Sequence, residues 1–266
     1  MHPIYLGVVG KNIQYSLSPR IHSRFAADEG IDLIYTIEEV GEGLFEKKIA
    51  ALRQAQFLGC NITVPFKEEA YRLADEKTSR ALQAGAANTF LFEAGKIVAD
   101  NTDGIGLIQD LQHNLGLILQ GKRLLICGAG GATRGILGPL LAHNPAQIVL
   151  ANRSIDKAVQ LQTFFASHLL TASTYEALAG QAFDLVIDST SLKTEPLPLP
   201  DTLHFNPHAC IYDLKYGANT PTLAWAKARG IPAYDGIGML IEQAAAAFKI
   251  WTGHTPRTNR LLAEFR

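Results

Sequence analysis

Long apolar runs, an excess of charge of one sign and closely spaced cysteines are all missing from this sequence. No hydrophobic stretch approaches the ~18 residues of a membrane span, and the N-terminal run from Ile4 to Val9 is too short for a signal-peptide core. A membrane protein is not expected, and the cytoplasm is the expected location. Acidic residues number 25 and basic residues 24, so no net field draws the chain to nucleic acid or an anionic surface. Cys60, Cys127 and Cys210 lie far apart beside apolar residues and form no Cys-x-x-Cys pair, which predicts buried, reduced thiols rather than a disulfide or zinc framework. In "HFNPHAC", His204, His208 and Cys210 are interrupted by Pro207 and have no evident fourth ligand, so no metal site is expected.

What is present is the composition of an ordinary globular protein: 266 residues, 47% hydrophobic and 18% charged, enough for one large domain or two of moderate size. Short apolar runs alternate with helical patterns along most of the chain, the mark of an α/β protein with parallel strands. The stretch "NTFLFEAGKIVADNTDG" breaks the rhythm, because two extended runs flank Ala94-Gly95 as in a hairpin. A helical segment over about 104–119 follows, and then "RLLICG" opens a new series of strand–helix units. These features predict two domains, 1–103 with 237–266 and 104–236. The last strong helical pattern, "GIGMLIEQAAAAFKIW", is apolar on several faces and is predicted to be buried.

In the second half, "RLLICGAGGATRGILGPLL" places Gly128, Ala129, Gly130, Gly131 and Ala132 between an apolar strand and a helix. Glycines there permit a tight bend and let backbone amides approach a pyrophosphate, which the helix N-terminus favours. A site for NAD usually carries an acidic residue ~20 residues on, to accept the ribose hydroxyls. This chain has Asn152, Arg153 and Ser154 instead, with Lys157 a turn later. Arginine can fork onto a 2′-phosphate that a carboxylate would repel, so NADP is the expected cofactor.

In the first half, "YSLSPRIHSRF" puts Ser16 and Ser18 before Pro19. Ser18 reads as an N-cap and Pro19 as the first helical residue, leaving amides and hydroxyls that suit a carboxylate. "GCNITVPFKEEA" reads as a strand followed by a helix that starts at Pro65, so Lys67 falls in the first turn. A cation there faces the positive pole of the helix dipole, at a cost of a few tenths of a kcal/mol to ~1. Asp103 in "DNTDG" and Asn88 in "GAANT" read individually as turn residues. Gln243, an amide in an apolar helix, needs a buried partner.

The motifs "SLSP", "NITVPFKEEA", "GAANT", "DNTDG", "GAGGATRG", "ANRS" and "DGIGMLIEQAA", in this order, resemble the shikimate dehydrogenase family over nearly the whole chain. The resemblance implies an N-terminal substrate domain, a Rossmann-type NADP domain and reversible reduction of 3-dehydroshikimate to shikimate. It also implies that Lys67 and Asp103 form the catalytic pair, and that Ser16, Ser18 and Tyr216 bind the substrate carboxylate. Thr63, Asn88 and Gln243 would hold the ring hydroxyls, with Thr190, Leu214, Gly236 and Met239 on the cofactor. A small molecule is then the expected partner, for a monomer or homodimer. The alternatives are an NAD-using quinate/shikimate dehydrogenase, a related folate-type dehydrogenase without need of the two serines, and a non-catalytic dinucleotide sensor. Two departures stand out: "DSTSLKTEPLP" has Asp188, Ser189 and Lys193 where the family commonly reads Asn-Ala-Thr and then Gly-Met, and Lys157 replaces an arginine often found there.

Overall fold

The computed structural model describes residues 3–192, 194–217 and 219–266, so Lys193 lies outside the described residues. The chain forms two compact units, one of residues 1–107 with 240–266 and the other of residues 108–239.

The first unit opens with strand β1 (Ile4–Gly10), helix α1 (Ser18–Glu29), β2 (Leu33–Glu39), α2 (Phe45–Gln54), β3 (Gly59–Ile62) and α3 (Lys67–Leu73). It continues with β4 (Glu76–Lys77), α4 (Ser79–Ala84), β5 (Thr89–Glu93), β6 (Lys96–Asp100) and α5 (Asp103–Ile108). Its sheet has the order β2-β1-β3-β5-β6-β4. The first three strands are mutually parallel, β5 is antiparallel to both β3 and β6, and β4 runs parallel to β6. Ala94 and Gly95, both at positive φ, close the two-residue hairpin between β5 and β6. Alternation along β1 sends Leu6 and Val8 to one face, with Tyr35 and Trp251, and Val9 to the other, with Phe45, Cys60, Ile62 and Phe90. Gly59 is required where it stands: a Cβ there would fall 2.2 Å from the Phe90 carbonyl, which accepts the Trp251 indole N–H.

The second unit begins with a π-helical turn (Gln109–Asn114) that continues from α5. It then runs β7 (Arg123–Cys127), α6 (Gly131–Ala142), β8 (Gln147–Ala151), α7 (Ile155–Phe165), β9 (Leu170–Ser173), a 3-10 turn (Glu176–Leu178), β10 (Ala182–Asp188), β11 (His204–Asp213), α8 (Pro221–Ala228) and β12 (Ala233–Tyr234). The sheet is wholly parallel with order β12-β11-β10-β7-β8-β9. Numbered within the unit this is 3-2-1-4-5-6, the doubly wound Rossmann order, with its switch point between β7 and β10. Its central strands β7 and β8 and the carboxyl ends of β10 and β11 are buried on both faces and therefore read as continuous apolar runs. Helix α9 (Ile237–Thr252) and α10 (Asn259–Phe265) complete the chain.

Several local expectations are corrected. The helix expected over 104–119 ends at Asn114, because Leu115 closes it with an N–H to the Asp110 carbonyl and Gly116 turns out at φ +66°. Pro65 does not open a helix: it sits in a turn closed by the Phe66 N–H on the Thr63 carbonyl, its peptide with Val64 is cis, and α3 begins at Lys67. Ser18 is the first residue of α1 rather than its cap, and Leu17 holds the cap position with no side-chain bond. The "HFNPHAC" residues belong to β11, whose register against β10 shifts after Phe183, with His208 at φ +66° in the irregular part. All three cysteines are free and buried. No helix among the described residues is long and apolar enough to cross a membrane, and none of their His, Cys, Asp and Glu side chains cluster as metal ligands.

Candidate active site and dinucleotide site

The first unit brings Lys67 and Asp103 together through its strand order. Asn61, Thr89 and Asp100 form one row across β3, β5 and β6. Since β3 and β6 are each antiparallel to β5, their carboxyl ends lie at the same edge as the start of β5. Lys67 follows β3, Asp103 follows β6 and Asn88 precedes β5, so all three meet there. Lys67 Nζ donates to Asp103 Oδ2 at 2.6 Å, and the side chains are 12% and 5% exposed, so the pair is largely shielded from water. Asn88 Nδ2 lies 2.9 Å from Asp103 Oδ1, 3.0 Å from the Thr102 hydroxyl and 3.1 Å from Gln243 Oε1. Asn88 Oδ1 accepts from the Thr102 N–H and the Thr89 hydroxyl. Gln243 Nε2 donates to the Leu240 carbonyl, so this buried amide has its partners. The "DNTDG" turn is braced from beneath: Asp100 receives Arg80 Nε at 2.9 Å and the Thr78 hydroxyl at 2.8 Å, and Asn101 Oδ1 accepts the Asp103 N–H.

Ser16 and Ser18 stand at the start of α1, where the Ser16 hydroxyl accepts the Ser18 N–H at 3.3 Å. Thr63 follows β3 and fills the space above Gly10, whose added Cβ would fall 2.5 Å from its methyl. Sequence reasoning missed the connector between these groups. Tyr35, whose phenol has the Ser18 side chain beside it, donates to Asn61 Oδ1 at 2.7 Å, and Asn61 Nδ2 donates to the Asn88 carbonyl and the Thr89 hydroxyl. Burial drives the Tyr35 phenol well above its ordinary pKa, so it remains a donor. The available signal was Asn61 itself, a polar residue within a strand buried on both faces. Beneath this connector lies His22, fully buried and stacked on Tyr35 with ring centroids 4.3 Å apart.

The second unit carries the remaining candidates at the carboxyl ends of its strands. Gly128 has φ +104°, and a Cβ there would fall 2.9 Å from Ser189 Oγ and 3.1 Å from its backbone; the turn therefore has no room for a side chain. Gly130 occupies the cap position of α6 with open space where a side chain would be, and Gly131 and Ala132 form the first turn. This bare, amide-presenting turn fits a pyrophosphate. Thr133 and Ser189 clamp it from inside, each hydroxyl donating to a backbone carbonyl of Cys127 or Gly128. Asn152, Arg153, Ser154 and Lys157 follow β8; Arg153, Ser154 and Lys157 are exposed, and the Asn152 amide donates to the Ser154 carbonyl. Thr190 follows β10, Leu214 and Tyr216 follow β11, and Gly236 and the buried Met239 lie around the start of α9. Tyr216 thus falls in a different unit from the other carboxylate candidates, Ser16 and Ser18.

A parallel sheet of 3-2-1-4-5-6 order with a bare glycine turn at its switch point, in a chain that also carries a shielded lysine–carboxylate pair, defines the class of Rossmann-type dinucleotide-dependent enzymes. Comparison with known proteins narrows this. Residues 8–90 match the shikimate dehydrogenase substrate-binding domain, 110–199 the shikimate/quinate 5-dehydrogenase domain and 236–261 the shikimate 5'-dehydrogenase C-terminal domain. The chain is 47% identical over 264 residues to the NADP(+) shikimate dehydrogenase of Dechloromonas aromatica, covering 97% of this chain and 96% of that protein. Among solved structures, the Ael1 enzyme from Pseudomonas putida is 40% identical with a TM-score of 0.88, covering 98% of each chain. Shikimate 5-dehydrogenase from Thermus thermophilus, solved with NADP(H) and shikimate, is 30% identical with a TM-score of 0.85, covering 96% of each. The chain belongs to the shikimate dehydrogenase family.

Proposed function

We propose that this protein catalyses the reversible, NADPH-dependent reduction of 3-dehydroshikimate to shikimate, a step towards chorismate and the aromatic amino acids. The observation that carries the reading is the shielded contact of Lys67 Nζ with Asp103 Oδ2 at 2.6 Å, joined to Asn88 and Gln243. NADPH supplies the hydride, and the protein supplies orientation and the proton. Hydride arrival at a ketone leaves an alkoxide, and the Lys67 ammonium protonates that oxygen; in the reverse direction the lysine removes the hydroxyl proton. Asp103 holds the ammonium in place and is itself held by Asn88. Ser16, Ser18 and Tyr216 take the substrate carboxylate, while Thr63, Asn88 and Gln243 hold its ring hydroxyls.

The glycine turn from Gly128 to Ala132 receives the pyrophosphate, Arg153 and Lys157 the 2′-phosphate, and Thr190, Leu214, Gly236 and Met239 the nicotinamide end. The unit of residues 1–107 with 240–266 is accordingly the substrate unit, and that of 108–239 the NADP unit. The enzyme acts in the cytoplasm, as a monomer or homodimer. The test is nicotinamide absorbance after mixing purified protein with shikimate or quinate and NADP or NAD. NADPH formation from shikimate and NADP is expected to be fastest. Faster turnover of quinate with NAD would move the protein to the quinate-using relatives, and silence in every mixture would refute the proposed reaction.

A further inference from the structure

The carboxyl end of β10 holds a buried charge cluster that the hydride and proton steps do not use. Asp188 is fully buried, and four hydrogen bonds occupy both its oxygens. Oδ1 accepts from the Thr190 N–H at 2.9 Å and the Thr190 hydroxyl at 2.7 Å, while Oδ2 accepts from Lys215 Nζ at 2.8 Å and the Thr222 hydroxyl at 2.7 Å. Lys215 Nζ also contacts Asp213 Oδ1 at 2.8 Å and the Thr190 carbonyl at 3.4 Å. Asp213 is fully buried, and its Oδ2 has no partner among the described residues. Burial and the Asp188 charge push the Asp213 carboxyl up. Burial alone would lower Lys215, but the two carboxylates more than offset it and its pKa is raised.

The backbone repeats the same connections. The Leu214 N–H donates to the Asp188 carbonyl at 2.9 Å, the Lys215 N–H to Asp213 Oδ1 at 3.0 Å, and the Gly236 N–H to the Lys215 carbonyl at 2.9 Å. Thr190, Leu214 and Gly236 therefore sit on three segments tied to one ion pair. In this fold each half of the sheet serves one mononucleotide. Arg153, after β8, marks the adenosine half, so β10 to β12 serve the other. Two buried carboxylates cannot both stay charged side by side without a cation, and Lys215 is that cation.

We propose that Asp188 and Lys215 are positioning residues for the nicotinamide mononucleotide half of NADP, holding the Thr190, Leu214 and Gly236 segments in register. This rests on the NADP-enzyme reading. Removing one member of a buried pair leaves an uncompensated charge, whereas removing a positive and a negative charge together does much less harm. The experiment is calorimetric titration of the full-length protein with NADP and with adenosine 2′,5′-bisphosphate, which lacks the nicotinamide half. Lys215→Met is expected to weaken NADP roughly tenfold while the bisphosphate changes by less than about twofold. Lys215→Arg, which keeps the charge, is expected to restore most of the loss, and Asp188→Asn/Lys215→Met to bind NADP more tightly than Lys215→Met alone.

Unchanged NADP affinity in Lys215→Met, equal loss for both ligands, or a double variant no better than the single would overturn the proposal. Should Lys215→Met fail to fold, the double variant against wild type carries the same two-ligand comparison. Because binding is read without turnover, silence towards shikimate would refute the reaction while the affinity ratio still decides the role of this pair.

Discussion

Acid should weaken the first unit through a single residue, His22. Its imidazole is fully buried, stacks on Tyr35 and lies 5.5 Å from the Trp251 ring. Among the described residues neither ring nitrogen finds a partner at hydrogen-bond geometry. Burial lowers its pKa from 6.5 to about 3, and the nearby Asn61 side chain opposes this only in part. In the unfolded chain the ring takes a proton near pH 6.5, while the folded chain refuses it until about pH 3. Between those values the unfolded state binds more protons, so stability falls as pH falls through this window. Integrating from pH 7 to pH 5 gives a loss of about 2 kcal/mol from this one group. The assay is urea denaturation followed by Trp251 fluorescence in a Trp225→Phe background, at both pH values, for His22 and His22→Leu. The carboxylates titrate alike in both proteins, so the difference between the two pH dependences isolates the imidazole. Parallel losses would show that His22 is not held neutral by burial.

Three further outcomes are expected. Lys67→Ala should lower kcat by about 10²- to 10⁴-fold with the Kd for NADP unchanged, and near-normal turnover would remove Lys67 from the proton step. Arg153→Ala should raise KM for NADP and narrow the gap between NADP and NAD in kcat/KM; an unchanged ratio would place the 2′-phosphate contact elsewhere. Gly128→Ala forces a side chain into φ +104° and to 2.9 Å from Ser189 Oγ, and should destabilise the second unit by about 1–3 kcal/mol, read by urea unfolding on Trp225 fluorescence. A stability within error of the wild type would show that this turn relaxes freely.

The amino-acid sequence by itself determined the features whose physics is local. Runs of apolar residues bounded by turn residues marked most of the strands, the Ala94-Gly95 pair specified a tight hairpin, and glycines at 128, 130 and 131 specified a turn without side chains. Motif order along the chain was enough to point to the family. Helix starts were less legible: α1 begins at Ser18 with Leu17 in the cap position, and Pro65 falls in a turn closed by the Phe66 N–H on the Thr63 carbonyl, so that α3 begins only at Lys67. Short strands such as β4 and β12, two residues each, carry no periodicity to read.

Only the tertiary structure decided which distant side chains meet. Lys67 and Asp103 are 36 positions apart, and Asn88 and Gln243 are 155 apart. The first contact depends on β5 inserting antiparallel between β3 and β6, which residue spacing does not encode. Likewise Asp188 read only as part of an altered loop, and nothing in the sequence singled out Lys215. Their pairing needs β10 and β11 side by side with their carboxyl ends at one edge, and the burial of His22 needs α1 packed on Tyr35 of β2. Local pattern sets which face of an element is apolar, but strand order sets which polar groups share a buried edge and must neutralise one another there.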